Sequence, residues 1–576
     1  MMKSKTVFLI CFIMVTFPTF CQTYINNVTI VDVDKQKLVP GQTVIITGDI
    51  ISATGPSGKI KIPTGATVIE GKGKYLMPGL TDAHVHFFQS GGLYARPDGI
   101  DLRKDMPYEK EIAWTHNNME DFLRRYLRSG ITSVIDVGST ISFLQQRDTF
   151  ANKNYAPAIY MTGPLLTSYE PDEYLNLKNN EPFSLVKTGE DGVKYVQQQL
   201  PDHPDFIKIW YIAASAADAK KFQPVAKAII DEAHKNNLKV AVHATERITA
   251  QLAVESGCDY LVHDIEDEIV PDAFVQLLKT KKVILCPTLI VADGYDNTFA
   301  QKNSYTLYDF INANPQAIGS ITDLRHLPDS IIIDRYKSHF ASDAVARGSA
   351  HTDSIRMVNL KKMSDAGVII VAGTDAGNIG TQHASSFFSE LKAMQKSGMT
   401  NWQIIRSATI NPAKIFDKEK TEGSIEAGKR ANAILLNANP IENLENLKDI
   451  KLVINRGFVI APDTLIQETA LALVERQLNA YNAGRIDAFL EPYADDVALY
   501  DFPGKLLGKG KDNMRNDYDK LFNNLPDLHC EIQDRIIQGN IIIDKEKITA
   551  GRKKILEGTV IYQVENNKIS KVYFMQ

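Results

Sequence analysis

Thr81–Phe87 reads TDAHVHF, and the organisation of the whole chain is best worked out from this stretch. His84 and His86 stand two residues apart. On a β-strand that spacing turns both rings to one face, where they can grip a single ion. Upstream, from Thr23 to about Met77, short β-branched runs (Val28–Val33, Thr43–Ile46, Val68–Glu70) are broken by Gly and Pro, as in a strand-rich unit. A similar texture returns after Gly423 at Ala433–Leu436, Lys451–Asn455 and Val459–Ile460. The two blocks are expected to pair into one small β-domain built from both ends, residues 22–77 with 418–463.

Between these blocks, apolar strand runs alternate with helical ones. Strands are expected at Ser133–Val137, Phe206–Trp210, Val240–Val242, Tyr260–Val262, Val283–Leu285 and Val368–Ala372. Helices are expected at Ala217–Asn236, Ala250–Ser256 and Ala273–Lys279. Such alternation over 78–417 implies an α/β unit with a parallel sheet and outer helices, most economically a (β/α)8 barrel. The polar, helix-prone stretch at about 290–363 reads as an insertion, either a lid or an extra surface helix pair. From residue 466 to 576 the texture changes again, with an amphipathic helix at Glu468–Tyr481 and then short strands, a separate α+β unit.

Four further pieces of the middle section carry chemistry. Lys208 sits inside the apolar strand FIKIW, His243 ends KVAVH, His263 ends DYLVH, and Asp375 follows a strand in VAGTDAG. Barrel strand ends converge on one face, so these residues are expected to meet. Taken singly, each histidine is more often a hydrogen-bonded core residue or a strand cap, and Asp375 a helix cap. A lysine within a strand interior is harder to explain that way, because desolvating an ammonium is costly.

The joint pattern resembles the amidohydrolase superfamily, in its imidazolonepropionase-like and prolidase-like branch. The resemblance rests on MPGLTDAHVHF, FIKIW, VAVHAT, LVHD, GTDAG and ATINPAKIF…GSIEAGKRANAILL, and covers about Ile30 to Pro462. It implies two divalent ions, with His84, His86 and Asp375 on the first and His243 and His263 on the second. Lys208 would lie between them, carboxylated on its amine to give an oxygen ligand. Zinc suits such a set best, while manganese and iron remain open by ligand type. The implied reaction is hydrolysis of an amide, cyclic amide or dipeptide, with Asp375 as the catalytic base turned acid. A lactone or phosphoester hydrolase on the same metals is the alternative, as is a non-catalytic binding protein. Two departures bear on substrate choice: Thr245 stands where relatives carry a tyrosine, and VHD at Val262–Asp264 replaces EHG. Arg96, Arg247 and His383 are the candidate substrate contacts.

Glu475–Gly510, ERQLNAYNAGRIDAFLEPYADDVALYDFPGKLLGKG, resembles the NTF2-like, or SnoaL-like, family, implying a curved sheet folded around a helix with a cone-shaped pocket. Ketosteroid isomerases in that family carry their base at the place of Asp501, but their oxyanion-donating tyrosine falls on Gln477. A ligand-binding or dimerising module is therefore expected rather than an isomerase.

Composition sets the outer limits. The chain has 576 residues, 44% hydrophobic and 23% charged, which excludes a disordered or fibrous protein. A net charge of −5 gives no basic excess for a nucleic-acid or anionic-lipid partner. The expected partner is a small amide or peptide-like substrate, with a homo-oligomer through the NTF2-like sheet as an option. Met1–Lys5 carries two lysines and Thr6–Phe17 is an uncharged apolar run, a secretory signal too short for a lasting membrane span. Cleavage after Cys21 fits better than lipid attachment there, because Phe20 is not small. Export to the periplasm or medium is thus expected. Cys258, Cys286 and Cys530 then remain as buried free thiols.

Overall fold

The computed structural model describes residues 22–525, 527–551 and 553–575. The secretory signal read at 1–21, with Cys21, lies outside the described residues.

Strands from both sides of the long middle section join in one eight-stranded sheet. Tyr75–Pro78 lies at the junction, parallel to Gln22–Asp32 and antiparallel to Ala433–Leu436, with Pro78 opposite Ala433 and Tyr75 opposite Leu436. Alternate residues of these strands and of the neighbouring Ile450–Asn455 (Ile25, Leu76, Ala433, Leu435, Ile454) pack into a shared apolar layer.

The middle section is a mixed α/β fold of parallel strands. One sheet of seven strands contains Phe206–Trp210, Lys239–His243, Tyr260–Val262, Ile284–Cys286 and Ile369–Ile370 in that order; a second of three contains Leu80–Val85, Ile131–Asp136 and Ala158–Met161. Every residue of Leu80–Val85 and Ile131–Asp136 is buried, as expected of parallel strands covered on both faces. Hydrogen bonds from Ala83 N to Ala372 O and from Asp205 N to Met161 O, both 2.9 Å, connect the two sheets at either edge. The last strand is shorter than the apolar run Val368–Ala372 suggests. Its ladder covers only Ile369–Ile370, and the chain then bends toward Asp375, which adopts a left-handed backbone with φ 59°.

Helices fill the stretch between Val291 and Asp365. Two of them, Leu307–Asn312 and Pro315–Ser320, pack against the C-terminal unit. Their Phe310, Ala313 and Ile318 share one apolar core with Leu473, Val474 and Ala480. Asn479 donates to the Pro315 carbonyl at 2.6 Å, and a β-carbon at Gly319 would stand 2.5 Å from Asn479 Oδ1, so a larger residue there would have to push that amide aside. His326 stacks on His529 with centroids 3.5 Å apart.

The C-terminal unit begins with helix Ala470–Asn482 and closes on a six-stranded sheet, in which Tyr493–Asp501 runs parallel to Lys568–Met575 and the other neighbours are antiparallel. Cys258, Cys286 and Cys530 are buried and free. Among the described residues, no helix is long and apolar enough to cross a membrane.

Candidate metal centre

His84, His86 and Asp375 converge, although 290 residues separate the two motifs in the chain. His84 Nε2 lies 3.3 Å from His86 Nε2 and 3.1 Å from Asp375 Oδ1, and His86 Nε2 lies 3.0 Å from the same oxygen. The Gly138 carbonyl, 2.7 Å from His86 Nδ1, can only accept, so the neutral ring carries its proton there and points a lone pair from Nε2 into the cluster. Asp375 Oδ1 and His84 Nδ1 are buried without a hydrogen-bond partner. Two ring nitrogens and a carboxylate oxygen, buried and within 3.3 Å of one another, are a ligand set that fits a divalent ion.

The backbone is built to hold this arrangement. Asp375 N donates to His84 O at 2.8 Å, and Thr374 clamps Asp82 through N–H (3.0 Å) and Oγ–H (2.7 Å), tying the two motifs together. A β-carbon on Gly373 would lie 2.7 Å from His84 N and 2.5 Å from Cys286 Sγ, which explains the glycine of GTDAG. Asp136 accepts from Phe87 N at 3.0 Å and Gly138 N at 3.2 Å, fixing the carbonyl that orients His86. Burial raises both Asp82 and Asp136 to about 7. These two supporting carboxylates were absent from the sequence reading. Their signal was an aspartate inside or ending an apolar strand, at TDAHV and ITSVID.

The remaining candidates fall into two groups. His263 and His243 stand beside the cluster. The His263 ring lies 4.9 Å from that of His84 and 4.4 Å from that of His243, and its Nδ1 is 2.7 Å from Thr288 Oγ1 and 3.9 Å from Asp375 Oδ2. His263, like Asp375, holds a left-handed backbone (φ 76°), a costly conformation for a non-glycine residue. Lys208 is 1% exposed, and burial lowers its amine to about 7, with Asp375 opposing that shift. Burial likewise brings His84 down to about 4. It would raise the Asp375 carboxyl, but His84 and His86 hold it well below the usual range. Arg96 reaches the loop after Asp375: it pairs with Asp98 and donates to Asn378 Oδ1 at 2.6 Å, while Asn378 donates to the Asp375 carbonyl at 3.0 Å.

His383 and Arg247 are engaged elsewhere. The His383 ring is 2% exposed, stacks on Phe87, and has Nδ1 3.0 Å from Tyr126 Oη and Nε2 2.9 Å from the Gln89 carbonyl, so it braces the HxH loop from behind. Arg247 pairs with Glu268 and donates to Gln251 at 2.6 Å. Asp264, next to His263, keeps both carboxylate oxygens buried and unpartnered, and burial pushes its pKa well up.

Residues 75–460 match the amidohydrolase family. The chain belongs to that family. Membership makes it a hydrolase of carbon–nitrogen bonds. Residues 474–572 match the SnoaL-like domain, whose fold is NTF2-like. The chain is 24% identical over 320 residues to an enamidase of Eubacterium barkeri, covering 52% of this chain and 73% of that one. It is also 24% identical over 461 residues to an imidazolonepropionase of Alkaliphilus metalliredigens (strain QYMF), covering 74% and 94%. Among solved structures, a Xaa-Pro dipeptidase with methionine in its active site superposes with a TM-score of 0.57 at 22% identity, over 76% of this chain and all of that one. At that identity the likeness speaks for the fold alone.

Proposed function

We propose that this chain is an exported amidohydrolase that cleaves a carbon–nitrogen bond in a small amide, cyclic amide or dipeptide at a centre of two divalent ions, zinc by preference. Residues 22–77 with 418–463 form the composite β-domain, 78–417 a (β/α)8 barrel, and 466–576 the SnoaL-like domain. The observation that carries the reading is the buried convergence of His84 Nε2, His86 Nε2 and Asp375 Oδ1 within 3.3 Å.

His84, His86 and Asp375 would hold the first ion and His243 and His263 the second, with Lys208, carboxylated on its amine, as a further oxygen ligand. An amine held near pKa 7 by burial is neutral often enough to take up CO2, which turns it into an anionic oxygen ligand. When bound, the ions supply Lewis-acid activation of the substrate carbonyl and lower the pKa of a water. The rest falls to the chain. Asp375 accepts the proton of the attacking water and returns it to the leaving nitrogen, acting first as base and then as acid. Asp82, Asp136 and Thr288 keep the ligands in their rotamers and tautomers, as outer partners of metal ligands do. Arg96, through Asn378, sets the loop that carries Asp375 and stands as the substrate-side residue of the three candidates.

The names of the relatives, an enamidase and an imidazolonepropionase, favour cyclic amides as the first compounds to assay. The test is elemental analysis of the purified chain together with turnover of a panel of cyclic amides, dipeptides and lactones. Two ions per chain and amide turnover that disappears on chelation are expected. A chain that binds no metal, or turns over amides equally well without it, would sink the reading.

A further inference from the structure

Where the hydrolase unit, its helical insertion and the SnoaL-like domain meet, they leave a cavity of about 340 Å3, within the range of sites that take small organic molecules. Ser90, Tyr94, Glu111 and Trp114 come to it from the hydrolase unit, Asp323 from the insertion and His529 from the strand Leu528–Gln538. The chamber inside the SnoaL-like domain, lined by Tyr493, Gln477, Tyr562 and Glu546, is a different one, although both have Leu478 and Cys530 in their walls. His84, His86 and Asp375 take no part in the junction cavity.

The polar groups around this space are short of donors and of positive charge. Glu111 is 7% exposed, its Oε1 is buried without a hydrogen-bond partner, and the Ser90 hydroxyl serves the carboxyl from one side. Asp323 takes one side-chain donor, Tyr94 Oη at 3.1 Å. Among the described residues, no cationic side chain pairs with either carboxyl. Arg535, the guanidinium in the wall, is committed to Asp544 and Glu475, and Glu531 is held by Lys547. Burial accordingly raises both carboxyls, Asp323 to about 6. His529 Nδ1 is a second polar atom buried without a partner, in a ring that is 8% exposed. Burial beside His326 keeps that ring neutral, so Nδ1 can accept when Nε2 carries the proton. Tyr94 and Trp114 add aromatic rings to the wall, and Met106 and Ile532 add apolar surface. The complement of such a wall is a charged donor on an apolar body, since an ammonium also gains from a nearby aromatic face. A bare metal ion would leave most of the volume empty and make no use of the rings.

We propose that the junction cavity is a binding site for a protonated primary amine carrying one aromatic ring, anchored by Glu111 with Asp323 as its second acceptor. The ammonium brings the donors and the charge that the two carboxyls lack, and the wall covers its ring. Because the wall is drawn from both units and the insertion, the ligand also ties the SnoaL-like domain to the hydrolase unit. Binding here needs none of the metal ligands and stands whether or not the hydrolase reading holds.

The test titrates the full chain by calorimetry at pH 7.5 with 2-phenylethylamine, 2-phenylethanol and 3-phenylpropionate, a cation, a neutral compound and an anion on the same ring. The amine is expected to bind about tenfold or more tighter than the alcohol, as a hydrogen bond between charged groups gives, and the carboxylate weakest of the three. Equal affinity for amine and alcohol in the unaltered chain overturns the proposal without recourse to any variant, as does no amine binding at millimolar concentration. Glu111→Gln, checked for an unchanged far-ultraviolet spectrum, should shrink the preference for the amine severalfold; an undiminished preference overturns the role of Glu111. Met106→Trp narrows the cavity and should weaken amine and alcohol alike. If neither affinity changes, the site lies elsewhere and the proposal fails. An amine is also a product of amide hydrolysis, so the titration is repeated on Asp375→Asn. Unchanged affinity is expected there; a loss would place the amine at the metal centre and overturn the proposal.

Discussion

The chain buries two clusters of ionisable and polar side chains and solves the cost of doing so in opposite ways. In the candidate metal centre, His84, His86 and Asp375 bring three ligand atoms to one point, where an ion fits. In the C-terminal cavity, Tyr493, Gln477, Tyr562 and Glu546 pass hydrogens in one direction, so the network is nearly satisfied by itself. The first arrangement gains from a cation among its ligand atoms, whereas the second needs none. Burial alone therefore does not mark a catalytic site; the balance of donors and acceptors does.

The sharpest way to break this contrast is Asp375→Asn. It removes the proton carrier and one anionic ligand, and kcat toward the best amide should fall at least about 100- to 10,000-fold with the far-ultraviolet spectrum unchanged. Turnover within tenfold of the unaltered chain would take Asp375 out of the proton path. Next in size is Lys208→Met, which keeps an unbranched apolar side chain in the strand Phe206–Trp210 but cannot be carboxylated. Metal content should drop from two ions per chain toward one, with the fold intact by circular dichroism; two ions retained would remove Lys208 from the bridge. Asp82→Asn, which weakens the clamp on Thr374 without touching an ion, should loosen metal binding about 10- to 100-fold by competition with a chelator. Unchanged affinity would make Asp82 a folding residue only.

How much of this was legible in the sequence depended on range. HxH spacing, the strand-terminal histidines and GTDAG are local patterns, and local patterns state which way a side chain faces. That was enough to name His84, His86 and Asp375, which the structure brings together, with the His263 and His243 rings beside them. Features created by packing across hundreds of residues were not legible. His383 reads as a loop histidine near a ligand, yet it is pinned between Phe87, Phe122 and Tyr126, which sit far back in the chain. The helices of the insertion carry ordinary amphipathic sequences, and nothing in Leu307–Asn312 announces that its apolar side will meet Leu473 and Val474. Glu546 lies in IIIDKEKITA, a strand with charges on both faces, where only the closing of the sheet shows which charge is inside.

The smallest expected effect separates the two clusters by pH. Burial raises the Glu546 carboxyl from 4.5 to about 7, although the Tyr562 hydroxyl works against it. Between those two values the folded domain holds a proton that the unfolded chain has released. Stability of the domain therefore falls as pH rises through that window, by at most about 1.4 kcal/mol per pH unit for one proton. Glu546→Gln resembles the protonated form at every pH. Its stability should match that of the unaltered chain near pH 4.5, exceed it near pH 8, and show a flatter slope between. Urea unfolding followed by amide exchange in the strand Ile541–Ala550 reads this domain separately from the hydrolase unit. Parallel slopes in the two proteins would mean that Glu546 already finds a full set of donors when the cavity is empty. The contrast with the metal centre would then be complete.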